Sequence, residues 1–137
     1  MKILVATDGS EQAMKAVKRA REMAEKEGAQ VMIMSVAYFS RDDLDEMPPN
    51  IQDKLEAEAR TALDKAKALF DEKSIKVETV LETGRVPANN IIRKAEEIKC
   101  DGILLGSTGR TGLKRAFMGS TAAKVVSLAP CTVTVIR

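Results

Sequence analysis

Short runs of apolar, β-favouring residues alternate with longer stretches of helical periodicity from one end of the chain to the other. Ile3 to Ala6 is a compact apolar run, the pattern of a strand covered on both faces. Asp8-Gly9-Ser10 breaks it and supplies capping residues for a helix. In that helix Ala13, Ala16, Val17, Ala20 and Ala24 mark one face, and Gly28 marks the end. Val31 to Val36 reads as a second strand, and Ser40 to Asn50 as the least regular stretch, polar and carrying Pro48-Pro49. A long amphipathic helix follows, with Ile51, Leu55, Ala59, Ala62, Leu63, Ala66, Leu69 and Phe70 on one side. Val77 to Leu81 reads as a third strand. Gly84-Arg85-Val86-Pro87 opens a helix with proline in its first turn, and Ile91, Ile92, Ala95 and Ile98 form its apolar face. Ile103 to Leu105 is a fourth strand, Thr121 to Leu128 a short last helix and Thr132 to Ile136 a final strand. The order βαβαβαβαβ predicts an α/β fold: a parallel sheet, right-handed crossovers and helices on both faces. No repeat or linker interrupts it, so residues 1–137 read as a single domain.

Composition narrows the chemistry. Hydrophobic residues make up 45% and charged residues 31%, which excludes a disordered chain. A net charge of +2 requires neither a nucleic acid nor a membrane as partner. Its distribution is more telling: no acidic residue follows Asp101, while Arg110, Lys114, Arg115, Lys124 and Arg137 do. That segment should attract anions, although a solvated basic loop would look the same. There is no His, so the commonest general base and metal ligand are missing. Cys100 and Cys131 fit no metal-ligand spacing and read as small buried residues, not reactive thiols. Met14, Met23, Met32 and Met34 read as core filling, and Glu56, Glu58, Asp64 and Asp71 as the solvated side of the long helix. The first apolar run is too short for a signal peptide, and a cytoplasmic location is expected.

One segment carries candidate chemistry. Between the fourth strand and the last helix lie Gly106-Ser107-Thr108-Gly109-Arg110 and, further on, Met118-Gly119-Ser120-Thr121. Gly106 and Gly109 allow a sharp turn and a close backbone approach to a ligand. Gly119-Ser120 stands where the next helix begins, so its amides and partial positive charge face the same space. Ser120 or Thr121 could cap that helix or donate a hydroxyl to a phosphate. These features make an anion site. It is not a P-loop, for there is no Gly-Lys-Ser/Thr, and no G-x-G-x-x-G follows the first strand.

Over essentially its full length the chain resembles the universal stress proteins. Gly106, Gly109, Gly119 and Ser120 match G-x2-G-x9-G-(S/T), the phosphate motif of that family's ATP-binding branch. The opening Ile3 to Ser10 run, Gly84-x-x-Pro87, Leu113-Lys114-Arg115 and Ala129-Pro130-Cys131 also resemble it. The resemblance implies an open five-stranded sheet of order 3-2-1-4-5, of the adenine-nucleotide α-hydrolase-like kind. It implies ATP as ligand, with Mg²⁺ or Mn²⁺. Asp8 is then the residue that contacts the adenosine, flanked by Ala6 and Thr7. Val36 offers a backbone contact to adenine and Leu105 lines the base or ribose. Gly106, Gly109, Arg110, Gly119, Ser120 and Thr121 surround the phosphates. The chain departs from the family where Ala6 replaces a frequent proline, Thr108 a frequent His and Thr132 a common proline. With the glycines intact, these are read as tuning affinity.

The function implied is an ATP-binding regulatory or stress-response module that signals occupancy to a protein partner. With no His and no base beyond Asp8, at most weak ATP hydrolysis is expected. A pure interaction protein of the same fold is the other alternative, although family members of that kind typically lack the glycine pattern. The apolar final strand at a sheet edge needs covering, which predicts a homodimer through the C-terminal edge strand.

Overall fold

The computed structural model describes residues 1–39, 47–108 and 118–137. Strands β1 (Lys2–Ala6), β2 (Gln30–Ala37), β3 (Glu78–Thr83), β4 (Gly102–Gly106) and β5 (Thr132–Ile136) alternate with four helices. These are α1 (Glu11–Glu27), α2 (Pro49–Asp71), α3 (Pro87–Ile98) and α4 (Ser120–Leu128). The strands form one five-stranded sheet of order β3-β2-β1-β4-β5, every neighbouring pair parallel. Fold class and strand order therefore agree with the expectation. The third strand is displaced from it, starting at Glu78 and running on to Thr83.

Apolar runs make the central strands because both of their faces are covered. Ile3 and Val5 enter a core shared with Val17 and Ala20 of α1 and Leu63, Ala66 and Phe70 of α2. Leu4 points the other way, into a core with Ala88, Ile91 and Ala95 of α3 and Ala122 and Val125 of α4. The same alternation sends Ile33 to the first core and Met34 to the second, as a period of two requires. Fully burying one such side chain stabilises by about 2 kcal/mol over leaving it in water. Met14 and Met34 are buried and Met23 and Met32 pack against the cores, so the methionines are filling.

Local chemistry sets the helix ends. The Ser10 side chain caps α1 by accepting from the Ala13 amide at 3.2 Å, and Gly28 closes it in the left-handed conformation at φ 70°. Pro49 and Pro87 each open a helix, where a missing N–H costs nothing. The start of α3 is also tied to β3. The buried Asn90 donates to Glu82 Oε1 at 2.9 Å and to the Thr83 carbonyl at 3.1 Å. A Cβ on Gly84 would collide with Asn90 Oδ1, so glycine lets the chain pass. At the far edge of the sheet, Thr132 and Thr134 of β5 are exposed, as are Val126 and Leu128 of α4. Among the described residues no helix is long and apolar enough to cross a membrane.

Candidate functional site

Helices α1 and α2 pack on one face of the sheet and α3 and α4 on the other. The connections leaving β1 and β4 therefore turn in opposite directions, although these strands are neighbours. A crevice opens at their carboxyl ends, where open α/β sheets take ligands. A cavity of about 670 Å³ occupies it. That size suits a small-molecule ligand.

Each wall comes from a different element. Ala6 ends β1 and Thr7 and Asp8 follow it, Ser35 to Ala37 end β2 with Tyr38 after them, and Leu105 and Gly106 end β4 with Ser107 and Thr108 after them. Leu55, Glu58 and Ala59 of α2 and Arg85 to Ala88 at the start of α3 form the outer wall. Gly119 to Ala122 and Lys124 of α4 complete it. Of the residues singled out in the sequence, Ala6, Thr7, Asp8, Val36, Leu105, Gly106, Gly119, Ser120 and Thr121 line this one cavity. Gly109 and Arg110 lie outside the described residues, as do Lys114 and Arg115.

Several roles differ from those expected. The space where a Gly106 Cβ would stand is taken by α1, whose Gln12 carbonyl carbon would be 2.8 Å away and Ala13 nitrogen 2.9 Å. Glycine at this position lets α1 pack directly against the end of β4, at the wall of the cavity. Gly119, not Ser120, occupies the N-cap position of α4, and Ser120 is the first helical residue. The Gly119 amide is spent on the Ser107 carbonyl at 2.6 Å, while the Ser107 amide bonds Ile136 of the edge strand at 2.8 Å. Among the described residues no side chain caps α4. The amides of Ser120, Thr121 and Ala122 thus begin the helix at the cavity wall, uncapped by a side chain among the described residues. Together with the aligned peptide dipoles they form a concentration of positive potential.

Asp8 is not the cap of α1. Its Oδ1 accepts from the Ser10 amide at 2.9 Å, and Thr7 Oγ1 accepts from the Gly9 amide at 3.1 Å. These two short turns fix the backbone after β1, and the Thr7 amide donates to the Met34 carbonyl at 2.9 Å, tying it to β2. Ala6, Val36, Leu55, Val86 and Leu105 give the cavity an apolar wall, while Arg85 and Lys124 bring positive charge.

Sequence reasoning missed Tyr38, Leu55, Arg85, Val86 and Lys124 as lining residues. Lys124 stands one helical turn after Ser120, a spacing from which its place was available. Leu55, on the apolar side of α2 as expected, packs against Ala37, Phe39 and Ala59 and also reaches the cavity. Glu58 is a correction: expected on the solvated side of α2, it lines the cavity, whereas Asp64 and Asp71 are exposed. Helical periodicity says which face is turned inward, not where a cleft interrupts that face. Among the described residues, no group of three or more His, Cys, Asp or Glu could hold a metal.

Known proteins of this kind are many. A universal stress protein of Methanocaldococcus jannaschii is 36% identical, the match spanning 99% of this chain and 81% of that protein. Universal stress protein YxiE of Bacillus subtilis is 31% identical over 99% of this chain and 98% of its own length. Among solved structures, universal stress protein UspA from Lactobacillus plantarum superposes with a TM-score of 0.82 at 30% identity, covering 100% of this chain and 97% of that one. A universal stress protein from Archaeoglobus fulgidus, solved in complex with dAMP, shares the fold at a TM-score of 0.75 and 23% identity, covering 100% of this chain and 98% of its own. The sequence model of the universal stress protein family matches residues 1–137, and the chain belongs to that family.

Proposed function

We propose that this protein is a cytoplasmic, ATP-binding regulatory switch whose cavity holds the nucleotide between β1, β4 and the start of α4. One observation carries the reading. The N-terminus of α4, without a side-chain cap among the described residues, opens on the same cavity as an apolar wall and the carboxylate of Asp8. Backbone amides at a helix start suit phosphate oxygens, and Lys124 and Arg85 supply further charge. The apolar residues Val36, Leu55, Val86 and Leu105 suit the face of a base. An ionised carboxylate accepts hydrogen bonds and repels phosphate, so Asp8 is assigned to ribose hydroxyls or an amino group. Gly109 and Arg110, in the connection from β4 to α4, are proposed to complete the phosphate contacts. Mg²⁺ or Mn²⁺ is proposed to arrive on the phosphates. The dAMP complex of the Archaeoglobus fulgidus relative agrees with an adenine nucleotide in this fold.

Occupancy would be read by a protein partner at the β4–α4 connection, whose ends Thr108 and Gly119 line the cavity. The test is thermal unfolding in titrations with Mg·ATP and Mg·ADP. A ligand at a hundred times its Kd stabilises by about 2.7 kcal/mol, which is several degrees for a chain of this size. The proposal predicts such a shift for the wild type and its loss in Gly119→Val, whose side chain would press on the Ser107 carbonyl. An unchanged midpoint of the wild type at millimolar Mg·ATP would refute it.

A further inference from the structure

Cys100 and Cys131 are separated by 31 positions in sequence, yet their sulfurs lie 3.8 Å apart. Topology brings them together. Cys100 precedes β4 by two residues and Cys131 precedes β5 by one, and the register sets Gly102 beside Thr132. Both pack in the core beneath α3 and α4, together with Val133 and Val135, so the two sulfurs share a face of the sheet. Adjacent strands stand about 4.8 Å apart, within the Cα separation that a disulfide spans. The pair sits at the amino ends of these strands, opposite to the nucleotide cavity.

We propose that Cys100 and Cys131 form an oxidisable dithiol that hydrogen peroxide converts into an intramolecular disulfide. The two sulfurs differ in access: Cys131 is partly exposed, whereas Cys100 is buried. Burial, and then the hydrogen bond and charge of Cys131, push the Cys100 thiol up to about 12, so it stays protonated at neutral pH. The first step accordingly belongs to Cys131. Its thiolate attacks one peroxide oxygen, the O–O bond breaks, and Cys131 becomes a sulfenic acid as hydroxide leaves and takes a proton to form water. Sulfenic acid formation removes the Cys131 charge that helps keep Cys100 protonated. Cys100 then gives up its proton as its sulfur attacks the Cys131 sulfur, and the sulfenic hydroxyl leaves with that proton as a second water. Two thiols and one peroxide give one disulfide and two waters. The closed ring contains β4, the β4–α4 connection and all of α4. Its formation removes chain entropy from the unfolded state and raises the thermal midpoint.

The test treats reduced wild-type protein with hydrogen peroxide, then denatures it, alkylates free thiols and measures intact mass and peptide maps. The expected product is a single chain lighter by two hydrogens, unalkylated, with the Cys100 and Cys131 peptides joined and released by dithiothreitol. In C100S, Cys131 should halt at the sulfenic acid and be trapped by dimedone. In C131S, the buried Cys100 should stay a thiol and be alkylated after denaturation. Persistence of both thiols in the wild type would overturn the proposal. So would Cys131 sulfinic acid beside an intact Cys100 thiol, or a disulfide between two chains.

Discussion

Gly106 ends β4 against the first turn of α1, and a single added methyl group decides what that contact tolerates. The atoms in the way are main-chain atoms of Gln12 and Ala13, which cannot swing aside as a flexible side chain can. Gly106→Ala should therefore force α1 and β4 apart, at a cost of about 1–3 kcal/mol. Urea unfolding should show a lower midpoint with an unchanged slope. Gly119 is less crowded: a Cβ there would lie 3.2 Å from the Ser107 oxygen, and its φ of −63° is open to any residue. Gly119→Ala should accordingly cost less than about 1 kcal/mol, with alanine also a weaker N-cap than glycine. Both glycines stood out in the sequence by their spacing, but spacing does not say which of them is packed tightly against a helix backbone. That distinction depends on the packing of α1, nearly a hundred positions away.

Strand β3 and helix α3 are joined by a small polar cluster rather than by apolar packing alone. Glu82 takes Asn90 at 2.9 Å, Arg93 at 2.6 Å and Lys94 at 3.4 Å. Burial pushes the Glu82 carboxyl up, but the Asn90 hydrogen bond and the charges of Arg93 and Lys94 outweigh it and hold the group below its ordinary value of 4.5. A carboxyl with a lowered folded pKa binds protons more readily when unfolded. Its stabilising effect is thus complete above pH 4.5 and is lost as pH falls through the lower folded value. Glu82→Gln should lower the thermal midpoint at neutral pH, and the gap to the wild type should close in acid. A gap constant with pH would show that charge has no part in the link. Elements of this kind were readable in the apolar periodicity, which marked all five strands and four helices. The third strand was misplaced at its ends because Val77 is apolar and packs on the core without joining the ladder, while Glu82 and Thr83 join it despite their polarity. Polar residues enter a strand when a neighbouring helix supplies their partners, and a one-dimensional pattern does not show that helix.

At the scale of the molecule, the sheet leaves β5 as an edge, with the exposed Val126 and Leu128 of α4 nearby. We propose that a second copy covers this edge. Light scattering should give twice 14.9 kDa. Leu128→Glu, at a side chain exposed in the single chain, should return the mass to that of one chain without unfolding it. The same sheet order explains why the site could be read only in part. Asp8, Gly106, Gly119 and Ser120 come to one cavity because β1 and β4 are adjacent; the glycine spacing marked the last three, and the resemblance to the family marked Asp8. The outer wall, with Tyr38, Leu55, Glu58, Arg85 and Val86, arises from how α2 and α3 lean over the crevice, which no motif records. The central claim is that the start of α4 holds the phosphates of an adenine nucleotide. Its most direct test is a titration of isotope-labelled protein with Mg·ATP, following backbone amide resonances. The account predicts saturable shifts at Ser120, Thr121 and Ala122 together with Asp8 and Val36. Unmoved amides at the start of α4 at millimolar Mg·ATP, or shifts confined to another surface, would contradict it.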